Sequence, residues 1–194
     1  GYVRSEVCKN MEFLGISIDA EKNKLRGLDA STHRWQALHN LELFSNELAE
    51  LPPSWFDGVH RAPPLTNLQL QNNRIGELPV NFFVALPELR SLDVSQNRLR
   101  FLPATVAHAR HLESLYVGGN RLTTLPPGVA QLPHLMFLDV SRNELRRLPD
   151  LADCRRLNAL TVGYNPLQQL PAALPPSLCE LHLSGCGLDA LPPY

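Results

Sequence analysis

Residues 86–103 read LPELRSLDVSQNRLRFLP, and residues 132–149 read LPHLMFLDVSRNELRRLP. In the first stretch Leu92 and Val94 alternate with Ser91, Asp93 and Ser95. A period of two marks a half-buried strand, with the aliphatic side chains inward and the polar ones outward. Asn97 follows where the chain must leave the strand. Leu99 and Leu102 add apolar side chains, and Pro103 opens a return segment. Proline there fixes φ where no sheet hydrogen bond is needed.

Working outward, the spacing LxxLxLxx(N or C)xLxxLP runs from Leu38 to Pro192. Its polar position holds Asn46, Asn73, Asn97, Asn120, Asn143, Asn165 and finally Cys186, in steps of 27, 24, 23, 23, 22 and 21 residues. A self-similar period of this length denotes a solenoid. One unit cannot bury its apolar face alone, so units stack and place their strands side by side over a continuous core. The expected fold class is an α/β solenoid: an arc with a parallel concave β-sheet, short 3-10 or extended convex segments, and an N-terminal capping helix. The asparagine amides are expected to form a ladder, bonding backbone groups that stacking would otherwise bury unpaired. Cys186 reads as a small buried substitute in that ladder. Pro52, Pro79, Pro103, Pro126, Pro149, Pro171 and Pro192 share one repeat position, so they read as structural and not as a sign of disorder.

The return segments shorten along the chain, from Leu51–Leu65 to Leu78–Leu89 to Leu170–Leu178. The first has room for a helical turn around Trp55 and Phe56, whereas the last must be extended. Trp55, Phe56, Phe82 and Phe83 are expected in the convex side of the core.

The N-terminal segment reads differently. Val3, Val7, Met11 and Leu14 share one helical face. Ile16, Ile18 and Ala20 then alternate like a strand, and Asn23 lies one period before Asn46. Residues 1–28 are therefore expected to be a helix–strand cap, and residues 29–194 a domain of about seven repeats that continues beyond Tyr194. Cys8 reads as a packed residue of the cap.

The two quoted stretches resemble the leucine-rich repeat family, and the LxxLP ending resembles its intracellular Ras-signalling group. The last units, LPDLADCRRLNALTVGYNPLQQLP and LPAALPPSLCELHLSGCGLDALPP, resemble the shorter repeats of bacterial effectors, including effector ubiquitin ligases. Separately, VRSEVCKNMEFLGISIDAEKNKLRG (residues 3–27) resembles a segment near the C-terminus of acetate kinases. The rest of that kinase, including its Gly-rich phosphate loop, has no counterpart here, so phosphotransfer is not implied. Two origins stay open for this segment: a fused or borrowed cap, and chance similarity in a natural one.

The formal net charge is −1 over 194 residues, which gives no overall footprint for nucleic acid or an anionic membrane. No apolar run is long enough to span a bilayer. Cys8, Cys154, Cys179 and Cys186 form no CxxC pair, and no N-x-S/T acceptor exists. Secreted relatives of this type of solenoid usually carry disulfide-bonded end caps. The expectation is therefore an intracellular, cytoplasmic setting, with cytoskeletal or signalling complexes within scope.

The chain has no GxGxxG, P-loop, HExxH or GxSxG motif, so no catalytic residues, cofactor or metal are assigned. His111 and His134 occupy equivalent positions near His108 and read as surface histidines. The repeat phase sorts the outward side chains into columns. The central one holds Glu42, Gln69, Asp93, Tyr116, Asp139, Thr161 and His182. One flank holds Asn40, Asn67, Ser91, Ser114, Phe137, Ala159 and Glu180; the other holds Phe44, Gln71, Ser95, Gly118, Ser141, Gly163 and Ser184. Exposed aromatics and arginines are the residue types that dominate protein-binding hot spots. The candidate partner-binding residues are Tyr116, Phe137, Asp139, Arg142, Tyr164, Asp93, Phe44 and His182, with Met136 beside them. The functional expectation is a monomeric, non-enzymatic scaffold that binds a protein partner through its concave face. Two alternatives are the substrate-recognition domain of a larger enzyme, such as an effector ubiquitin ligase, and an engineered repeat fusion.

Overall fold

A computed structural model describes residues 16–28, 37–58, 62–171 and 173–191. The proposed helix over residues 3–14, with Cys8, lies outside these residues, as does Pro192. Among the described residues the strands form one sheet in chain order. They are β1 (Ile16–Asp19), β2 (Leu38–Glu42), β3 (Asn67–Gln69), β4 (Ser91–Asp93), β5 (Ser114–Tyr116), β6 (Phe137–Asp139), β7 (Ala159–Thr161) and β8 (Glu180–His182). Every neighbouring pair is parallel.

The strands are short because only one Leu in three residues must reach the core before the chain turns. Leu41, Leu68, Leu92, Leu115, Leu138 and Leu160 are all buried, each in register with the next. Burying such a side chain stabilises by roughly 2 kcal/mol, so the column alone is a large part of what opposes unfolding.

The asparagine ladder takes the expected form, and its chemistry is regular. Asn120 donates its amide N–H to the carbonyl of Val117 in its own turn (3.0 Å) and to that of Val94 in the previous turn (2.9 Å). Its Oδ1 accepts the backbone N–H of Leu99 (2.9 Å). Asn73, Asn97 and Asn143 repeat this pattern. Each asparagine thus pairs buried backbone groups that stacking removes from water.

The ladder changes at both ends. Asn46 accepts from Leu25 (3.0 Å) and donates to Ala20 (2.9 Å), which docks residues 16–28 onto the array. Asn23, by contrast, is exposed, and among the described residues its side chain bonds Ala20 and Glu21 of its own turn and no other group. At the other end Cys186 is buried and its thiol donates to Val162 (3.4 Å). It offers no acceptor to Leu167, whose N–H turns instead to the Asn165 carbonyl (2.8 Å).

The convex layer thins along the chain. The first four return segments hold a 3-10 turn Pro53–Trp55, the short helix α1 (Phe82–Ala85), and 3-10 turns Ala104–His108 and Pro127–Gln131. The last two hold no helix among the described residues. Trp55, Phe56, Phe82 and Phe83 are buried as expected. Phe82 stacks on Phe56 at 5.6 Å between centroids and meets Phe83 edge-on at 5.0 Å, favoured geometries for aromatic pairs.

Candidate functional site

The sheet's register reproduces the three outward columns. Glu42, Gln69, Asp93, Tyr116, Asp139, Thr161 and His182 are successive partners down the centre. Asn40, Asn67, Ser91, Ser114, Phe137, Ala159 and Glu180 line one flank in the same way. The other flank follows the strand ends, where backbone bonds join each turn to the next.

At the centre, Tyr116 is half-buried between Asp93 and Asp139. Both aspartates brace their strand ends. Asp93 Oδ1 accepts the Ser95 N–H (2.9 Å) and Asp139 Oδ1 accepts the Ser141 N–H (2.8 Å). Burial pushes the Asp93 carboxyl above its ordinary range; the bonds from Ser95 oppose this and the charge of Asp139 adds to it. Gly118 leaves room beside Asp139, since a Cβ there would lie 3.1 Å from Oδ2.

One margin carries Phe137, an aromatic ring with 39% of its surface exposed. The opposite margin carries Arg142 and Tyr164, which occupy equivalent positions in successive turns. The Arg142 guanidinium lies over the Tyr164 ring, 4.4 Å from its centroid, and Tyr164 remains 54% exposed. Both residues have left-handed backbone, with φ of 53° and 58°. Every described turn adopts this conformation just before its ladder residue: Lys22, Ser45, Asn72, Gln96, Gly119, Arg142, Tyr164 and Gly185. Bulky residues rarely do so, because the Cβ crowds the following carbonyl. Gly185 is bare beneath the Tyr164 ring, whose Cδ1 would lie 2.8 Å from an added Cβ.

The expected candidates do not all meet. Strand rise puts Phe137 and Arg142 about 15 Å apart, with Asp139 between them. Six strand steps separate Phe44 from His182, about 29 Å, so these two lie toward opposite ends of the array. Phe44 has a cation of its own, Lys22 Nζ at 5.8 Å from the ring. His182 lies 3.9 Å from Glu180. On the return side His111 and His134 stack nearly parallel with centroids 6.4 Å apart. No group of three or more metal-ligating side chains comes together among the described residues. No helix among them is long and apolar enough to cross a membrane.

Sequence reasoning missed the left-handed column. Its only signal was Gly119, Gly185 and Asn72 at one phase, hidden among five other residue types.

Among solved structures, the chain is similar to YopM from Yersinia enterocolitica, at 33% identity and a TM-score of 0.70 over 91% of this chain and 35% of that one. It is similar to a leucine-rich repeat protein of Leptospira interrogans, at 27% identity and a TM-score of 0.80 over 98% of this chain and 54% of that one. YopM from Yersinia pestis, described as a leucine-rich effector protein, gives 26% and 0.66 over 92% of this chain and 51% of that one. The chain thus spans between about a third and just over half of these proteins. A 28-residue stretch is 64% identical to the acetate kinase of Carboxydothermus hydrogenoformans, covering 14% of this chain and 7% of the kinase. The leucine rich repeat family model matches residues 63–122 and 110–167, just over half of the chain. With the ladder, the parallel sheet and the leucine core in place, the chain belongs to the leucine-rich repeat family.

Proposed function

We propose that this chain is a non-catalytic recognition module that binds a protein partner across its concave sheet. The observation that supports this reading is the exposure of Phe137 and Tyr164 on a rigid sheet, with Arg142 stacked on Tyr164. Exposed rings and arginines of this kind anchor protein interfaces. The face spans about 34 by 15 Å at the strand spacing, so a standard footprint of roughly 800 Å² also takes in a rim. Tyr116, Asp93 and Asp139 supply the polar centre, and Phe44 and His182 are peripheral contacts. The described cysteines Cys154, Cys179 and Cys186 are unpaired, which supports an intracellular setting.

The test is partner capture from an extract of the source cell. The double substitution Tyr116→Ala/Phe137→Ala is expected to reduce capture at least tenfold while leaving the melting temperature nearly unchanged. Equal capture by both proteins overturns the reading.

A second reading has this chain as the recognition region of a longer bacterial effector. The shortening repeats and the 33% identity to YopM favour it. A reading frame that continues into a cysteine-bearing helical domain would support a ligase; a coiled coil would favour a scaffold.

A further inference from the structure

Two positions on the edge that follows the ladder face solvent in each turn: the residue just after the ladder asparagine and the one two further on. In the N-terminal turns three of these positions, Arg26, Glu47 and Arg74, are ion-paired. Arg26 lies 3.2 Å from Glu47 of the next turn, and Glu47 lies 3.4 Å from Arg74. The same geometry recurs at the junction of the Asn97 and Asn120 turns, but there both slots hold arginine. Arg100 takes the place of Arg26, and Arg121 the place of Glu47. Arg98 also stacks between Arg74 and Arg121 in its column. The Asn143 turn adds Arg146 and Arg147 to the same edge.

Arg98, Arg100, Arg121, Arg146 and Arg147 are all exposed. None of them makes a side-chain ion pair or hydrogen bond among the described residues. Arg100, Arg121, Thr123 and Glu144 line an open recess of about 380 Å³. Phe101 is half-exposed in the same turn as Arg98 and Arg100. Glu144 follows Arg121 in its column but forms no ion pair with it among the described residues, so the repulsion between Arg98, Arg100 and Arg121 on adjacent turns is only partly offset in the isolated chain. An acidic ligand removes that repulsion. We propose that this edge binds a carboxylate-rich segment of a protein partner.

The chemistry favours a peptide over a longer polyanion. The basic edge covers three turns, about 10 Å of array, which suits two or three carboxylates. Guanidinium groups bind carboxylates in bidentate fashion, and Phe101 offers an exposed apolar contact in the same turn as Arg98 and Arg100. The concave face alongside carries Asp93 and Asp139, and the formal net charge is −1. These features work against binding an extended nucleic acid. The proposal does not depend on the concave-face reading, because its residues lie on a separate edge.

The test uses fluorescence anisotropy with a labelled deca-glutamate peptide at low ionic strength. The wild-type chain is compared with Arg98→Gln/Arg100→Gln/Arg121→Gln. It is also compared with a control, Arg110→Gln/Arg155→Gln/Arg156→Gln, which removes the same charge from the return side. The edge variant is expected to bind at least tenfold more weakly and the control within twofold of wild type. Circular dichroism of both variants confirms that the fold is kept. If an edge variant misfolds, Arg121→Gln alone is used and is expected to weaken binding at least threefold. No wild-type binding, equal losses in the two variants, or tighter binding of a ten-nucleotide single strand or of anionic phosphatidylserine vesicles than of the peptide each overturns the proposal.

Discussion

Arg142 rests on the ring of Tyr164, its guanidinium carbon 4.4 Å from the centroid, although the two residues belong to different repeats. Stacking of turns brings them together, and left-handed backbone at both positions turns them toward the rim of the concave face. Gly185 makes the arrangement possible by leaving the space under the ring empty.

Gly185→Ala tests that dependence. A Cβ at φ +68° would both strain the backbone and press on Tyr164. The expected cost is about 1–2 kcal/mol in denaturant unfolding. Tyr164→Ala on the Gly185→Ala background is expected to recover part of it, because the clash is with the ring.

The ladder predicts unequal costs at equivalent positions. Asn120 satisfies Val94, Val117 and Leu99 at once. Asn120→Ala leaves the buried Leu99 N–H without its partner and removes one of two donors from the Val94 and Val117 carbonyls, which keep Asn97 and Asn143, and should cost about 2 kcal/mol. The Cys186 thiol bonds Val162 and no other group among the described residues, so Cys186→Ala should cost about 1 kcal/mol. Equal losses would show that the ladder's hydrogen bonds do not carry the difference.

Asp93 predicts a pH-dependent effect. Its folded-state pKa is raised, chiefly by burial. A raised carboxyl favours the folded state fully below its unfolded-state pKa, and that contribution is lost as pH rises through the folded-state value. Ionised Asp93 therefore costs stability at neutral pH. Asp93→Asn should raise the melting temperature at pH 7, with the gain fading below about pH 4, near the unfolded carboxylate value. A gain that persists at pH 3 contradicts this account.

The cysteines should separate by reactivity. Burial pushes the Cys154 thiol up to about 11, and Asp153 adds to the shift. Cys179 is exposed. Iodoacetamide at pH 8 followed by peptide mapping should modify Cys179 first, and Cys154 only at the rate of unfolding, because the thiolate is the reacting species.

The core and the outward columns were legible because a strand alternates with period two and the asparagine fixes its phase. Asn97 alone places Leu92 inward and Asp93 outward. What the sequence hid depends on neighbours in other turns. Asn23 has the right phase, yet among the described residues no earlier turn reaches it, so it stays exposed. The left-handed column is set by how the chain must leave each strand, so Arg142 and Tyr164 adopt it as Gly119 does, at a steric cost that glycine escapes. Tyr116, Phe137 and Tyr164 fall in successive units, but their places along the strand differ, so they cross the face as a band. His182 shares the central column with Tyr116 and Phe44 lies on the other flank, but neither shares the band's neighbourhood.

The most direct measurement of the central claim is photo-crosslinking in an extract of the source cell. A benzophenone amino acid replaces Phe137 on the concave face or, as a comparison, Val84, which is exposed on the convex side. The account predicts a discrete adduct with one partner protein from position 137 and none from position 84. An adduct from position 84 alone, equal adducts from both, or none from either would contradict it.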